Sequence, residues 1–305
     1  MKKRLLAILT ACALSIATFA GCGKTAASET PSVSETAPAQ TSTEVSVEPE
    51  ATPVSYGADT QAIIDRGVLK VGVKNAVIGF GFQDTLTGEY TGMEISIAEK
   101  IAETLGVDIE FTAVTAATRT ELLDSGDIDC VLATFTITEE RKNNWDFSTP
   151  YYTDYVSVLV ETASGITSLE TLKDKTVGVS SGSTSAKALT KAMIEAGVID
   201  GTDFDEESFD AATWTTGIAF KQYDDYPAIS TALSAGEVDA FCVDKSILAI
   251  YNTDTRDYID AKFSPQDYGV ATKKGSDFST TVESLVSEWL ADGTIAGFIA
   301  ENGLE

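Results

Sequence analysis

One short pattern occurs twice in the chain. Leu123-x-x-Gly126-x-Ile128-Asp129 returns as Leu233-x-x-Gly236-x-Val238-Asp239, and each copy reads as a helix end, a glycine stop and the start of a buried strand. So short a pattern also arises by chance. A genuine repeat, however, restricts the chain to two α/β units of related build. With 305 residues and 43% hydrophobic content, there is material for one sizeable core or two smaller ones, and two lobes are the expectation.

The first copy runs on into the most informative stretch, Ile128 to Tyr152, I-D-C-V-L-A-T-F-T-I-T-E-E-R-K-N-N-W-D-F-S-T-P-Y-Y. Cys130 to Thr136 carries no charge and is rich in β-branched and aromatic residues, as in a strand buried on both faces. Thr136 and Thr138 then bring hydroxyls to a turn, Glu139 and Glu140 suit the first turn of a helix, and Arg141 follows. A ligand carboxylate laid here could take a two-pronged contact from Arg141 together with hydroxyl and amide donors. On these residues alone, a plain surface arginine beside two acids remains the alternative.

Other features bound the function. The net charge of −26 argues against nucleic acid and against adhesion to an anionic surface by charge. Histidine is absent, which excludes a Ser-His-Asp triad and His-ligated zinc. Lys2-Lys3-Arg4 precedes an apolar run from Leu5 to Phe19, too short for a comfortable membrane span, so residues 1–21 read as a signal peptide. Residues 24–56, made of Ser, Thr, Ala, Pro and Glu, lack the apolar surface to order themselves and read as a disordered tether. Cys130 and Cys242 fall in buried-strand patterns and read as free thiols.

Along the rest of the chain, Val68–Val73 predicts a strand with Lys74 at its carboxyl end, where open α/β sheets place ligands. Met93, Ile97, Ile101 and Leu105 recur every four residues, the buried stripe of a helix opened by Gly92. Thr176–Val179 predicts another strand, followed by Ser180-Ser181-Gly182-Ser183-Thr184-Ser185 and a helix, whose N-terminal N–H groups form a small anion cradle or merely a cap. No nucleotide-loop signature is present. A helix over Ala228–Ala235 and a strand over Val238–Val243 lead to Asp244, and helices over Phe278–Leu290 and Thr294–Ile299 end the chain. The acidic segment 197–217 is not informative.

A-T-F-T-I-T-E-E-R-K followed by F-S-x-P-Y-Y resembles the polar amino-acid-binding lipoproteins of ABC importers, the extracellular solute-binding proteins of family 3, and is most similar to their aspartate/glutamate-binding members. The likeness extends from about Ala58 to the C-terminus. It implies a two-lobed α/β periplasmic-binding-protein fold of type II, with the ligand cleft between lobes joined by two hinge crossings. The expected organisation is a signal peptide at 1–21, a lipidated cysteine and tether at 22–57, a first lobe at 58–153 plus 268–305, and a second at 154–267. Phe19-Ala20-Gly21-Cys22 resembles a lipobox, implying diacylation of Cys22 and anchoring at the extracellular face of the bacterial membrane.

The resemblance also distributes roles. Arg141, Thr134 and Thr136 are expected to hold the ligand from one side, and Asp244, Tyr226, Ser183 and Thr184 from the other, with Asp244 on the α-ammonium. Phe80 would lid the ligand's aliphatic stem, unless it packs in the core, and Arg119 would hold a side-chain carboxylate. Lys74 and Arg119 add two positive charges beyond the Arg141–Asp244 pair, so the expected ligand is free glutamate or aspartate, delivered by a monomer to an ABC permease. Glutamine, cystine or another polar amino acid, and a sensor role, are the alternatives. An enzyme such as a dehydratase is not expected, since no unpaired acid in the cleft can be named, and neither a cofactor nor a metal is expected. Many relatives carry a second acid at the position of Ser96.

Overall fold

The computed structural model describes residues 55–304. The expected signal peptide, Cys22 and nearly all of the expected tether lie outside the described residues. Among those that are described, no helix is long and apolar enough to cross a membrane.

Two mixed sheets carry the fold. In the first, Asp108–Ala113, Val68–Val73 and Cys130–Leu132 run parallel, and Ala271–Lys273 and Trp145–Phe147 continue it antiparallel. In the second, Ala219–Tyr223, Thr176–Ser180 and Ala240–Asp244 run parallel, and the long strand Tyr152–Glu161 follows antiparallel, with Arg256–Tyr258 and Phe263–Tyr268 paired to it. The chain passes from one sheet to the other along Tyr152–Glu161 and returns along Phe263–Tyr268. These two crossings are themselves hydrogen-bonded, with Tyr152 opposite Tyr268.

The twofold sequence pattern has the same structural meaning in each lobe. Gly126 and Gly236 both close a helix in the left-handed region, at φ 80° and 68°. Asp129 donates its N–H to the Lys70 carbonyl and accepts the Lys70 N–H on Oδ2, both at 2.8 Å. Asp239 does the same to Thr176, again at 2.8 Å both ways. The aspartate thus fastens the start of the adjacent parallel strand. One residue earlier, Ile128 packs where Gly72 lacks a side chain, and Val238 packs where Gly178 does.

Most expected elements form within a residue or two. The buried stripe Met93, Ile97, Ile101 and Leu105 lies on the helix Met93–Leu105. The Cys130–Thr136 strand is shorter than expected: pairing stops at Leu132, because Thr134 turns to φ 45°, although Ala133, Thr134, Phe135 and Thr136 all stay buried. Three strands of the two main sheets were not legible in the sequence, Trp145–Phe147, Ala219–Tyr223 and Arg256–Tyr258, nor were the short strands Ala76–Val77, Gly81–Gln83 and Tyr90–Thr91 of a third sheet. The first three are edge strands whose side chains, Arg256 apart, are only half-buried or exposed, so none shows an apolar run. Segment 197–217 is turn-rich, and Phe204, Phe209 and Trp214 cluster there with ring centroids 5.6–5.9 Å apart. Cys130 and Cys242 are buried and free.

Candidate functional site

The expected binding residues converge where the two lobes meet. Arg119, Thr134, Thr136 and Arg141 from the first lobe and Ser183, Thr184, Tyr226 and Asp244 from the second line one narrow pocket. It lies at the carboxyl ends of Cys130–Leu132 and Ala240–Asp244, the last parallel strand placed in each sheet.

Local structure explains how each charge is aimed. Thr138 caps the short helix Glu139–Lys142, its side chain accepting the Arg141 N–H at 3.1 Å, which orients Arg141 back over the strand end. The Arg141 Nη1 donates to the Thr136 carbonyl at 2.7 Å. Arg119 donates from Nη1 to the carbonyls of Ala133, at 2.9 Å, and Thr134, at 3.3 Å. Both guanidiniums lie over the Phe135 ring, 3.9 Å and 4.7 Å from its centroid, so one aromatic side chain braces two cations. On the other side Asp225 caps the helix Tyr226–Ser234, accepting the Ala228 N–H at 2.8 Å, and Pro227 sits in its first turn.

Asp244 is held at one oxygen and free at the other. Its Oδ2 accepts the Tyr268 hydroxyl, which also reaches Asp154 at 3.5 Å. Its Oδ1 is buried without a partner, as are Arg119 Nε and Ser183 Oγ among the described residues. Asp244 forms no ion pair with the adjacent Lys245, which lies over the Tyr258 ring, 5.5 Å from its centroid. Burial, and then repulsion from Asp154, push the Asp244 carboxyl up to about 7.

Lys74 is 4% exposed and Arg119 3% exposed, so neither points into solvent. The Lys74 ammonium lies 5.2 Å from the centroid of the Tyr226 ring, behind the pocket wall, and forms no ion pair among the described residues. Burial, reinforced by the neighbouring Arg119, lowers its pKa to about 7, while Glu94 and Asp244 oppose the shift. Burial and then Arg119 also lower Arg141, to about 9, which leaves it charged at neutral pH.

Four expectations change. Lys74, expected to bind the ligand, does not line the pocket, because its buried ammonium lies behind the Tyr226 ring. Phe80 does not line the pocket: it is fully buried, edge-on to Tyr152 at 5.1 Å and Tyr268 at 5.8 Å, so it packs the hinge, because the crossings bring those two rings in front of it. The Ser183–Thr184 loop is less a bare anion cradle than a contact between the lobes, since Arg141 Nη2 donates to the Gly182 carbonyl at 3.1 Å and Thr184 Oγ1 donates to Gln266 Oε1 at 2.7 Å. Gln266 Oε1 also accepts Thr136 Oγ1 at 2.8 Å, which ties a loop of each lobe to the return crossing. Finally, the count of two surplus positive charges omitted Glu94, which is fully buried and interacts with both Lys74 and Arg119. The signal for it was present: Glu94, Ile97, Ala98 and Ile101 share the buried face of one helix. Phe135, Tyr268 and Gln266 were also missed, since nothing local distinguishes them from core or strand residues.

Among the described residues, no cluster of three or more His, Cys, Asp or Glu side chains could hold a metal ion. The arrangement suits reversible capture of a zwitterion: a guanidinium at one end, a half-satisfied carboxylate at the other, and contacts from both lobes.

Comparison with known proteins shows the family. Residues 69–301 match the model of bacterial extracellular solute-binding proteins, family 3. The ABC transporter glutamine-binding protein GlnH of Bacillus subtilis (strain 168) is 33% identical over 76% of this chain and 80% of its own length. The glutamine-binding protein of Geobacillus stearothermophilus is 34% identical over 74% of this chain and 80% of its own. Among solved structures, an ancestral arginine-binding protein bound to arginine is similar at 31% identity and a TM-score of 0.64, covering 77% of this chain and 98% of that one. This chain therefore belongs to the bacterial extracellular solute-binding proteins of family 3, with their two-lobed type II fold, and is a binding protein rather than an enzyme.

Proposed function

We propose that this protein is the amino-acid-capturing component of an ABC importer, that its ligand is glutamate or aspartate, and that lobe closure traps the ligand for delivery to the permease. The carrying observation is the set of buried polar atoms around one pocket that lack partners among the described residues, Asp244 Oδ1, Arg119 Nε and Ser183 Oγ. A buried polar group left unpaired costs roughly 1–3 kcal/mol, more when charged, so these atoms call for a polar guest. Arg141 suits the α-carboxylate and Asp244 the α-ammonium.

The side-chain end sets the class of amino acid. With all groups ionised, Lys74, Arg119 and Arg141 are matched by the carboxylates of Glu94 and Asp244, which leaves one positive charge uncompensated. An acidic side chain supplies the missing negative charge; an amide does not. Glutamine is the competing ligand, and the names of the two glutamine-binding relatives support it. The reading extends to anchoring through acylated Cys22 at the extracellular face of the membrane, and to action as a monomer.

Calorimetric titration with glutamate, aspartate, glutamine, arginine and cystine tests the ligand class, repeated with Arg119→Ala. Dissociation constants near micromolar, about −8 kcal/mol, are expected for the acids. Arg119→Ala should weaken the acids far more than glutamine. Tighter binding of glutamine or arginine than of either acid by the unmodified protein overturns the acidic assignment.

A further inference from the structure

Glu94 occupies a position that packing alone does not explain. It sits in the first turn of the helix Met93–Leu105 with its carboxylate fully buried. Its Oε1 accepts two donors, the Thr134 N–H and the Tyr151 hydroxyl, each at 2.6 Å. Its Oε2 has no hydrogen-bond partner among the described residues. Neither donor is incidental. Thr134 is the residue in the left-handed region that turns the strand end toward the pocket, and its carbonyl accepts Arg119. Tyr151 is the residue just before the first crossing. Burial raises the Glu94 pKa, while the Tyr151 hydroxyl, the Thr134 N–H, Lys74 and Arg119 oppose that shift and favour the ionised carboxylate. A carboxylate with one unsatisfied oxygen inside a protein is costly, and adjacent cations are what make it tolerable.

We propose that Glu94 is the specificity-determining residue of this cleft: a fixed internal counter-ion to Lys74 and Arg119 that leaves them a single unmatched positive charge and so tunes the site to one ligand carboxylate. This rests on the amino-acid reading above, with the side chain of the ligand directed toward Lys74 and Arg119. Glu94 does not touch the ligand. It acts through the charge it places behind Thr134 and through the backbone turn it holds.

Two consequences separate the charge role from a purely structural one. Removing the charge while keeping an acceptor for Thr134 and Tyr151 raises the positive potential at the side-chain end. Anionic ligands then gain relative to their amides. Lys74 also loses one of the groups that support its protonated form, so the pH at which acid binding declines on the alkaline side moves down.

The test is calorimetry with glutamate and glutamine on the full protein and on Glu94→Gln, across a pH series. The expected result is a shift of the glutamate-to-glutamine affinity ratio toward glutamate by about tenfold or more, with the alkaline limb displaced to lower pH. Tyr151→Phe serves as a second variant, because it leaves the residue at 94 intact but removes a donor that stabilises its ionised form; a smaller shift in the same direction is expected. Equal weakening of both ligands with an unmoved alkaline limb overturns the proposal, as does an unchanged ratio in Tyr151→Phe should Glu94→Gln fail to fold. If the unmodified protein favours glutamine, the acidic assignment fails, yet the ratio shift on Glu94→Gln still reads out the role of this charge.

Discussion

Arg141 of the first lobe donates from Nη2 to the carbonyl of Gly182 in the second, at 3.1 Å, so the side chain assigned to the ligand carboxylate also bridges the lobes. Gly182 is in the left-handed region at φ 74°, and a Cβ there would lie 2.8 Å from the Ala116 carbonyl oxygen and 3.0 Å from the Ala117 Cα. In this structure the loop lies against bare backbone, where no side chain fits. Around this contact the lobes are also joined by an exposed Lys187–Glu140 pair at 3.1 Å, which is worth about 0–1 kcal/mol and does not hold the lobes together by itself.

Gly182→Ala is therefore expected to hinder closure. The left-handed backbone costs roughly 1–2 kcal/mol in either state, but the clash with Ala116 and Ala117 arises only when the lobes meet. Affinity for the preferred amino acid should fall about tenfold or more. Small-angle scattering with saturating ligand should show less compaction than in the unmodified protein.

The pH dependence of binding follows from Lys74 and Asp244, both near 7 in the protein alone. Lys74 is lowered, so above about pH 7 it is mostly neutral and must take up a proton before its charge, from behind Tyr226, can favour a ligand carboxylate. Asp244 is raised, so below about pH 7 it is mostly protonated and must release a proton to face the ammonium. Acid affinity is thus expected to be highest near neutrality and to decline on both sides, with net proton uptake at about pH 8.5 and net release at about pH 5.5. Titrations in buffers of different ionisation enthalpy measure both signs. Proton release at the alkaline end would contradict the assignment of Lys74.

Tyr268→Phe isolates the ammonium end. It keeps the ring that packs on Phe80 and Tyr152 but removes the hydroxyl that donates to Asp244. That hydrogen bond favours the ionised carboxylate, so its loss should move the acidic limb of the affinity profile to higher pH. Binding near pH 7 should weaken about tenfold, and equally for glutamate and glutamine, because both carry the same ammonium.

The repeat makes a stability prediction. Gly72→Ala and Gly178→Ala each place a Cβ 2.6 Å from a buried side-chain carbon, of Ile128 and Ile229 respectively. Each should destabilise by roughly 1–3 kcal/mol through overpacking. Chemical denaturation should find the two costs similar. A neutral result at one position would mean that the two strand interiors are not built alike.

The sequence by itself determined the elements whose chemistry is local. The helix stops at Gly126 and Gly236, the stripe Met93, Ile97, Ile101 and Leu105, the cap of Thr138 beneath Arg141, and the strand leading to Asp244 were all legible, because periodicity and capping act within a few residues. The two-lobed architecture was expected from the family resemblance carried by the stretch Ala133 to Tyr152, and the helix-turn-strand pattern that appears twice fits it. Only the tertiary structure decided which charges act together. Glu94 lies 40 residues from Thr134 and 57 from Tyr151, and Tyr268 reaches Asp244 from another strand. Burial then makes such encounters strong, for the same carboxylate that would be a solvated helix-start acid on a surface becomes, out of water and beside Lys74 and Arg119, a term in the charge balance of the cleft. Phe80 shows the converse: its aromatic character was plain, but only the packing of the two hinge strands assigned it to the core.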